Sequence, residues 1–95
     1  MFDKAKTLYE LKKIQSALAK ETIDIETGNG AVKITINGEQ KIKAIRLNPE
    51  LIDTDDLPKL EKWLESAITQ AITRSQQLAA EKMKGVAGGL GLPGL

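Results

Sequence analysis

The chain of 95 residues contains no His and no Cys, so its chemistry is carried by charge: 14 Lys and Arg against 13 Asp and Glu, a formal net of +1. Lack of His removes the commonest general base and metal ligand; lack of Cys removes thiolate chemistry and any disulfide framework. Carboxylates alone could act as acid and base, but no nucleophile–base pair accompanies them, so no catalytic residue, metal ligand or cofactor is assigned. The amines are more telling because they are unevenly placed. Residues 1–20 carry five Lys against Asp3 and Glu10, and residues 67–95 carry Arg74, Lys82 and Lys84 against Glu81. Between them, residues 21–48 balance at four and four, and residues 49–66 hold six acids against Lys59 and Lys62. Both ends are basic. Ammonium and guanidinium groups in such clusters can neutralise phosphates. The acidic run is accounted for by helix capping, since it lacks the regular oxygen spacing of a cation loop.

The elements that must position these charges give an α+β fold in one domain over residues 1–85. A first helix is expected over residues 3–20, with Asp3 as cap and Ala5, Leu8, Leu11, Ile14 and Leu18 recurring at three and four. Lys6, Lys13 and Lys20 lie off that apolar stripe, with Lys12 at its border.

A three-stranded antiparallel meander follows, with strands at 21–28, 31–37 and 40–48. Ile23 and Ile25, then Val32, Ile34 and Ile36, alternate with polar residues, the period of a strand with one buried face. Gly28-Asn29-Gly30 reads as the first turn. Asn37-Gly38 reads as a two-residue type I′ hairpin turn, since both residue types tolerate positive φ. Ile42, Ile45 and Leu47 keep to one face only if a bulge falls near Lys43-Ala44. Lys33, Lys41, Lys43 and Arg46 read as solvated positions and blunted sheet edges. Asn48-Pro49 ends the third strand.

The second helix is expected over residues 55–84, capped by the Asp53–Asp56 run, with Pro58 tolerated in the first turn. Its apolar stripe runs from Leu57 to Met83, and at 1.5 Å per residue it is about 45 Å long. A sheet of three short strands covers only part of that length, leaving the stripe from Ile72 to Met83 for the first helix, a second subunit or a ligand. The first helix runs into the sheet and the second runs out of it, which brings Lys4 and Lys6 beside Lys82 and Lys84 at one positive tip. Gly85 is a natural helix stop, and residues 86–95 read as a flexible Gly-rich tail. No apolar run approaches a membrane span, and no signal peptide is evident. A cytoplasmic protein is expected.

Two functions fit these residues. One is DNA binding through phosphates; the other is a protein-assembly module using the exposed apolar helix stripe and the Leu-bearing tail. The order of elements, the segment GAVKITINGEQKIKAIRLNPELID, the long helix after an acidic cap and the ending MKGVAGGLGLPGL resemble the YbaB/EbfC family of bacterial nucleoid-associated proteins. That resemblance implies a tweezer-like homodimer joined through its sheets, and double-stranded DNA bound with little sequence preference. It also implies a place in the nucleoid, organising DNA or modulating transcription. A recombination or transcription protein is a further partner left open by the residues. Binding falls on the helical arms, which carries the role to Lys4, Lys6, Lys12, Lys13, Arg74, Lys82 and Lys84. The chain departs from the family in a shorter first helix and in Asn48-Pro49 where Asp-Pro is common.

Overall fold

The computed structural model describes the backbone of residues 4–90 and the side chains of residues 6–84. The elements are α1 (Lys4–Lys20), β1 (Thr22–Thr27), β2 (Val32–Asn37), β3 (Ile42–Leu47) and α2 (Leu57–Leu90), with single 3₁₀ turns at Gly28–Gly30 and Pro49–Leu51. The α+β fold and the antiparallel order β1-β2-β3 are as expected, each strand being shorter at its ends than the sequence pattern. Asp3, the expected cap of α1, lies outside the described residues.

Register follows the hydrophobic pattern. Ile23 pairs with Ile36 and Ile25 with Ile34 across β1 and β2. Across β2 and β3, Val32 pairs with Leu47, Ile34 with Ile45 and Ile36 with Ile42. Thr35 pairs with Ala44 while Ile36 pairs with Ile42, so Lys43 is the extra residue of a bulge. That one residue keeps Ile42 and Ile45 on the same face of the sheet.

The β2–β3 connection corrects the expected type I′ turn. Gln40, with φ 64, takes the left-handed conformation, while neither Asn37 nor Gly38 has positive φ. Gln40 N–H donates to the Asn37 carbonyl at 3.2 Å, closing a turn one residue later than the Asn-Gly pair alone suggests. Gly38 is needed for another reason: a Cβ there would lie 2.7 Å from Leu18 Cδ2 and 3.0 Å from the Leu18 carbonyl oxygen. Its N–H donates to that carbonyl at 2.9 Å, satisfying one of the open acceptors at the end of α1. Proximity, not backbone freedom, selects glycine there.

α2 crosses β1 and β2 and leaves β3 uncovered. Ile25, Val32, Ile34 and Ile36 from the sheet and Ala67 and Ala71 from α2 form the buried core, with Ile23, Leu60, Trp63, Leu64 and Ile68 packed around it. The small residues at 67 and 71 let the helix approach the sheet closely. Trp63 lies over Gly28, where φ is +63 and an added Cβ would meet the ring at 2.5 Å. Thr27 Oγ1 donates to the Trp63 carbonyl at 2.9 Å and holds the same contact from the strand side. On β3 the inward-facing side chains stay open to solvent: Ile42 is 42% exposed, Ile45 49% and Leu47 47%.

α2 is longer than the sequence pattern implied. It continues without a break through Gly85, Gly88 and Gly89 to Leu90, so the expected stop at Gly85 is corrected and residues 86–90 of the supposed tail are helical. A helical glycine costs about 1 kcal/mol relative to alanine, but it ends a helix only where it adopts the left-handed cap conformation. Residues 91–95 lie outside the described residues. At 34 residues α2 is about 51 Å long.

Candidate nucleic-acid interface

α1 carries the densest cationic surface among the described residues. Lys6, Lys13 and Lys20 are spaced by seven, two helical turns apart, so they form one row about 21 Å long on the face opposite the apolar stripe. Lys12 and Lys13 line one shallow groove with Tyr9, Ser16, Ala17 and Lys20. No carboxylate lines it. Tyr9 is 67% exposed and its phenol, with the Ser16 hydroxyl, adds neutral hydrogen-bonding capacity between the ammonium groups. Spacing brings Lys6 into line with that groove. Lys4 is the first residue of α1, and its side chain lies outside the described residues.

The residues expected on α2 are arranged differently. Lys82 Nζ is 2.8 Å from Glu21 Oε1, an ion pair joining α2 to the residue just after α1. Lys6 is fourteen residues up α1 from Lys20, about 21 Å away, so Lys82 does not lie beside Lys4 and Lys6. The single positive tip expected from connectivity is corrected. Chain order fixed only that α1 enters the sheet and α2 leaves it; the Glu21 carboxylate, held at the β2–β3 turn, then takes the nearest ammonium group. Arg74 and Lys84 are exposed on α2, apart from the α1 row. Sequence reasoning thus gathered Lys12 and Lys13 correctly, misplaced Lys82, and omitted Lys20, Tyr9 and Ser16. The seven-residue spacing of Lys6, Lys13 and Lys20 was the signal that could have found Lys20.

The base of α1 is fixed by hydrogen bonds to the turn. Asn37, 1% exposed, donates from Nδ2 to the Ala19 carbonyl at 3.2 Å. Its Oδ1 accepts from Glu39 N–H at 2.9 Å and Lys41 N–H at 3.0 Å. The wholly buried Ser75 donates from Oγ to the Asn37 carbonyl at 2.7 Å and accepts from Gln40 N–H at 2.9 Å. The turn therefore orients the end of α1 and the middle of α2 together. No buried side-chain nitrogen or oxygen lacks a hydrogen-bond partner among the described residues, and none of their acids cluster as a metal site. Nor is any helix among them long and apolar enough to cross a membrane.

A small antiparallel sheet carrying two helical arms, one with a row of ammonium groups, is the architecture of an α+β nucleic-acid-binding protein. The crystal structure of an uncharacterized protein from Helicobacter pylori has this fold, with a TM-score of 0.70 over 95% of this chain and 98% of that one at 15% identity. Residues 1–90 match the model of the YbaB/EbfC DNA-binding family, and the chain belongs to that family. A nucleoid-associated protein of Thermoanaerobacter pseudethanolicus is 36% identical over 86 residues, covering 90% of this chain and 78% of that protein. Another from Roseiflexus castenholzii is 38% identical over 85 residues, covering 90% and 84%.

Proposed function

We propose that this protein is a homodimeric, nucleoid-associated protein of the bacterial cytoplasm. It binds double-stranded DNA mainly through phosphates, with little sequence preference, and so organises DNA or modulates transcription. The observation that carries the reading is the α1 row of Lys6, Lys13 and Lys20 beside the acid-free groove of Lys12, Tyr9 and Ser16. Ammonium groups on a straight helix contact successive phosphates without reading bases, which gives affinity with weak sequence dependence. Membership of a DNA-binding family and relatives named as nucleoid-associated proteins point the same way. The protein acts by binding rather than catalysis.

The second copy is read from β3. Ile42, Ile45 and Leu47, together with Leu51 at 44% and Leu57 at 51% exposure, form an apolar surface along the sheet edge and the start of α2. Contiguous apolar surface of this kind marks an interface, and a two-fold partner covering it would leave both α1 arms in solvent. If Lys6, Lys13 and Lys20 of both copies engage phosphates, six contacts would give a log–log salt slope of about −5.4. Salt-titrated mobility shifts on several unrelated duplexes, with no other protein present, test the reading. Comparable binding to all of them with a steep salt slope is expected; absence of binding at low salt would overturn it.

A further inference from the structure

The outer face of α2 carries a feature that phosphate neutralisation does not use. From Ser66 to Ala80 the sequence SAITQAITRSQQLAA has a single charged residue, Arg74, and that residue is one helical step of about 100° from the buried Ser75. The residues opposite the core stripe are Ser66, Thr69, Thr73 and Gln76, with Gln70 beside them, and all are exposed. Lys62 and Lys84 stand at the two ends of this face, 22 residues or about 33 Å apart. Lys62, Ser66, Thr69 and Gln70 line one open groove with Glu65. Gln70 Nε2 donates to Ser66 Oγ at 2.9 Å, which holds the amide flat along the helix.

A solvated helix face ordinarily carries Glu, Lys and Arg, which favour helix. Ser and Thr at exposed positions each cost about half a kcal/mol of helix propensity against alanine. A face that packs against another protein carries large apolar side chains, whereas the largest here is Ala80. What remains is a rod bearing hydroxyl and amide groups in its middle and one ammonium group at each end. That distribution matches a duplex groove. Gln, Ser and Thr hydrogen-bond base edges, and the major groove admits an α-helix. A straight helix leaves the curving groove at both ends, where Lys62 and Lys84 would meet phosphates.

We infer that the outer face of α2, centred on Thr69, Thr73 and Gln76, is a second DNA-binding surface that hydrogen-bonds groove edges and adds a salt-insensitive component of affinity. The inference rests on the DNA-binding reading above and deepens it. It is tested with the full chain carrying Thr69→Ala, Thr73→Ala and Gln76→Ala, alanine being the better helix former at exposed sites. Binding to a panel of unrelated duplexes is measured across a salt series, beside a Lys13→Ala, Lys20→Ala variant. The triple variant should bind roughly tenfold or more weakly, with an unchanged salt slope and a narrower spread of affinities across the panel. The lysine variant should flatten the slope instead. Parental affinity in the triple variant, with the lysine variant weakened, would overturn this inference and leave the DNA reading standing. Failure of the parent to bind any duplex would overturn both. Weakened binding accompanied by loss of self-association in sedimentation would assign the face to the second copy and overturn the inference.

Discussion

Ser75, on the long second helix, donates its hydroxyl to the Asn37 carbonyl at 2.7 Å, although the two residues are 38 apart in sequence. The same Oγ accepts from Gln40 N–H at 2.9 Å, so one buried hydroxyl closes the hairpin turn against the helix. Asn37 in turn binds the Ala19 carbonyl at the end of α1. Both arms are therefore referenced to one turn, and the relative placement of α1 and α2 depends on it.

Ser75→Ala removes a donor and an acceptor and leaves the Asn37 carbonyl and Gln40 amide each one partner short in a buried site. A loss of about 1–3 kcal/mol is expected, read by urea unfolding with unchanged m-value. An unaltered midpoint would show that the turn does not depend on this hydroxyl.

Gly28 and Gly30 separate backbone freedom from space. Both have positive φ, but an added Cβ meets the Trp63 ring at 2.5 Å at position 28 and nothing within 4 Å at position 30. Gly30→Ala should cost about 1–2 kcal/mol for the left-handed backbone alone. Gly28→Ala should cost that plus roughly 1–3 kcal/mol of overpacking, with Trp63 fluorescence shifted. Equal costs in thermal melts would contradict the packing account.

Much of this was legible in the sequence. Alternation located the strands, and the spacing of Ile42, Ile45 and Leu47 required the bulge found at Lys43. The misreadings share one physical cause: local pattern does not reveal which distant group a residue meets. Gly38 looked like a turn glycine, and is one because Leu18 packs against it. Ser75 looked like part of a helix stripe, and serves as the acceptor and donor of a turn. Lys82 looked like a free cation until Glu21 was found 2.8 Å away. The glycines after Lys84 lowered helix propensity without supplying a cap, so α2 ran on to Leu90.

The Lys82–Glu21 pair gives a prediction of its own. A phosphate approaching Lys82 must compete with the carboxylate, so Glu21→Gln should tighten duplex binding at low salt and steepen the salt slope by up to about 0.9 per copy. Stability should change by less than about 1 kcal/mol, since both side chains are 40% exposed. Unchanged affinity would show that Lys82 does not reach DNA.

The β3 surface is tested by charge. Ile45→Lys places an ammonium group at the centre of the uncovered apolar face, on a residue already half exposed in the single chain. Sedimentation equilibrium at micromolar protein should find a dimer for the parent and a monomer for the variant, with circular dichroism retained. A variant that remains dimeric would place the second copy elsewhere.

The most direct test of DNA binding through the α1 row is the salt dependence of Lys13→Ala, Lys20→Ala against the parent on one duplex. Loss of two phosphate contacts per copy should flatten the log–log slope by about 3.6 for a dimer, with affinity falling alike on unrelated sequences. A folded, dimeric double variant with the parent's affinity and slope would contradict the assignment of DNA binding to α1.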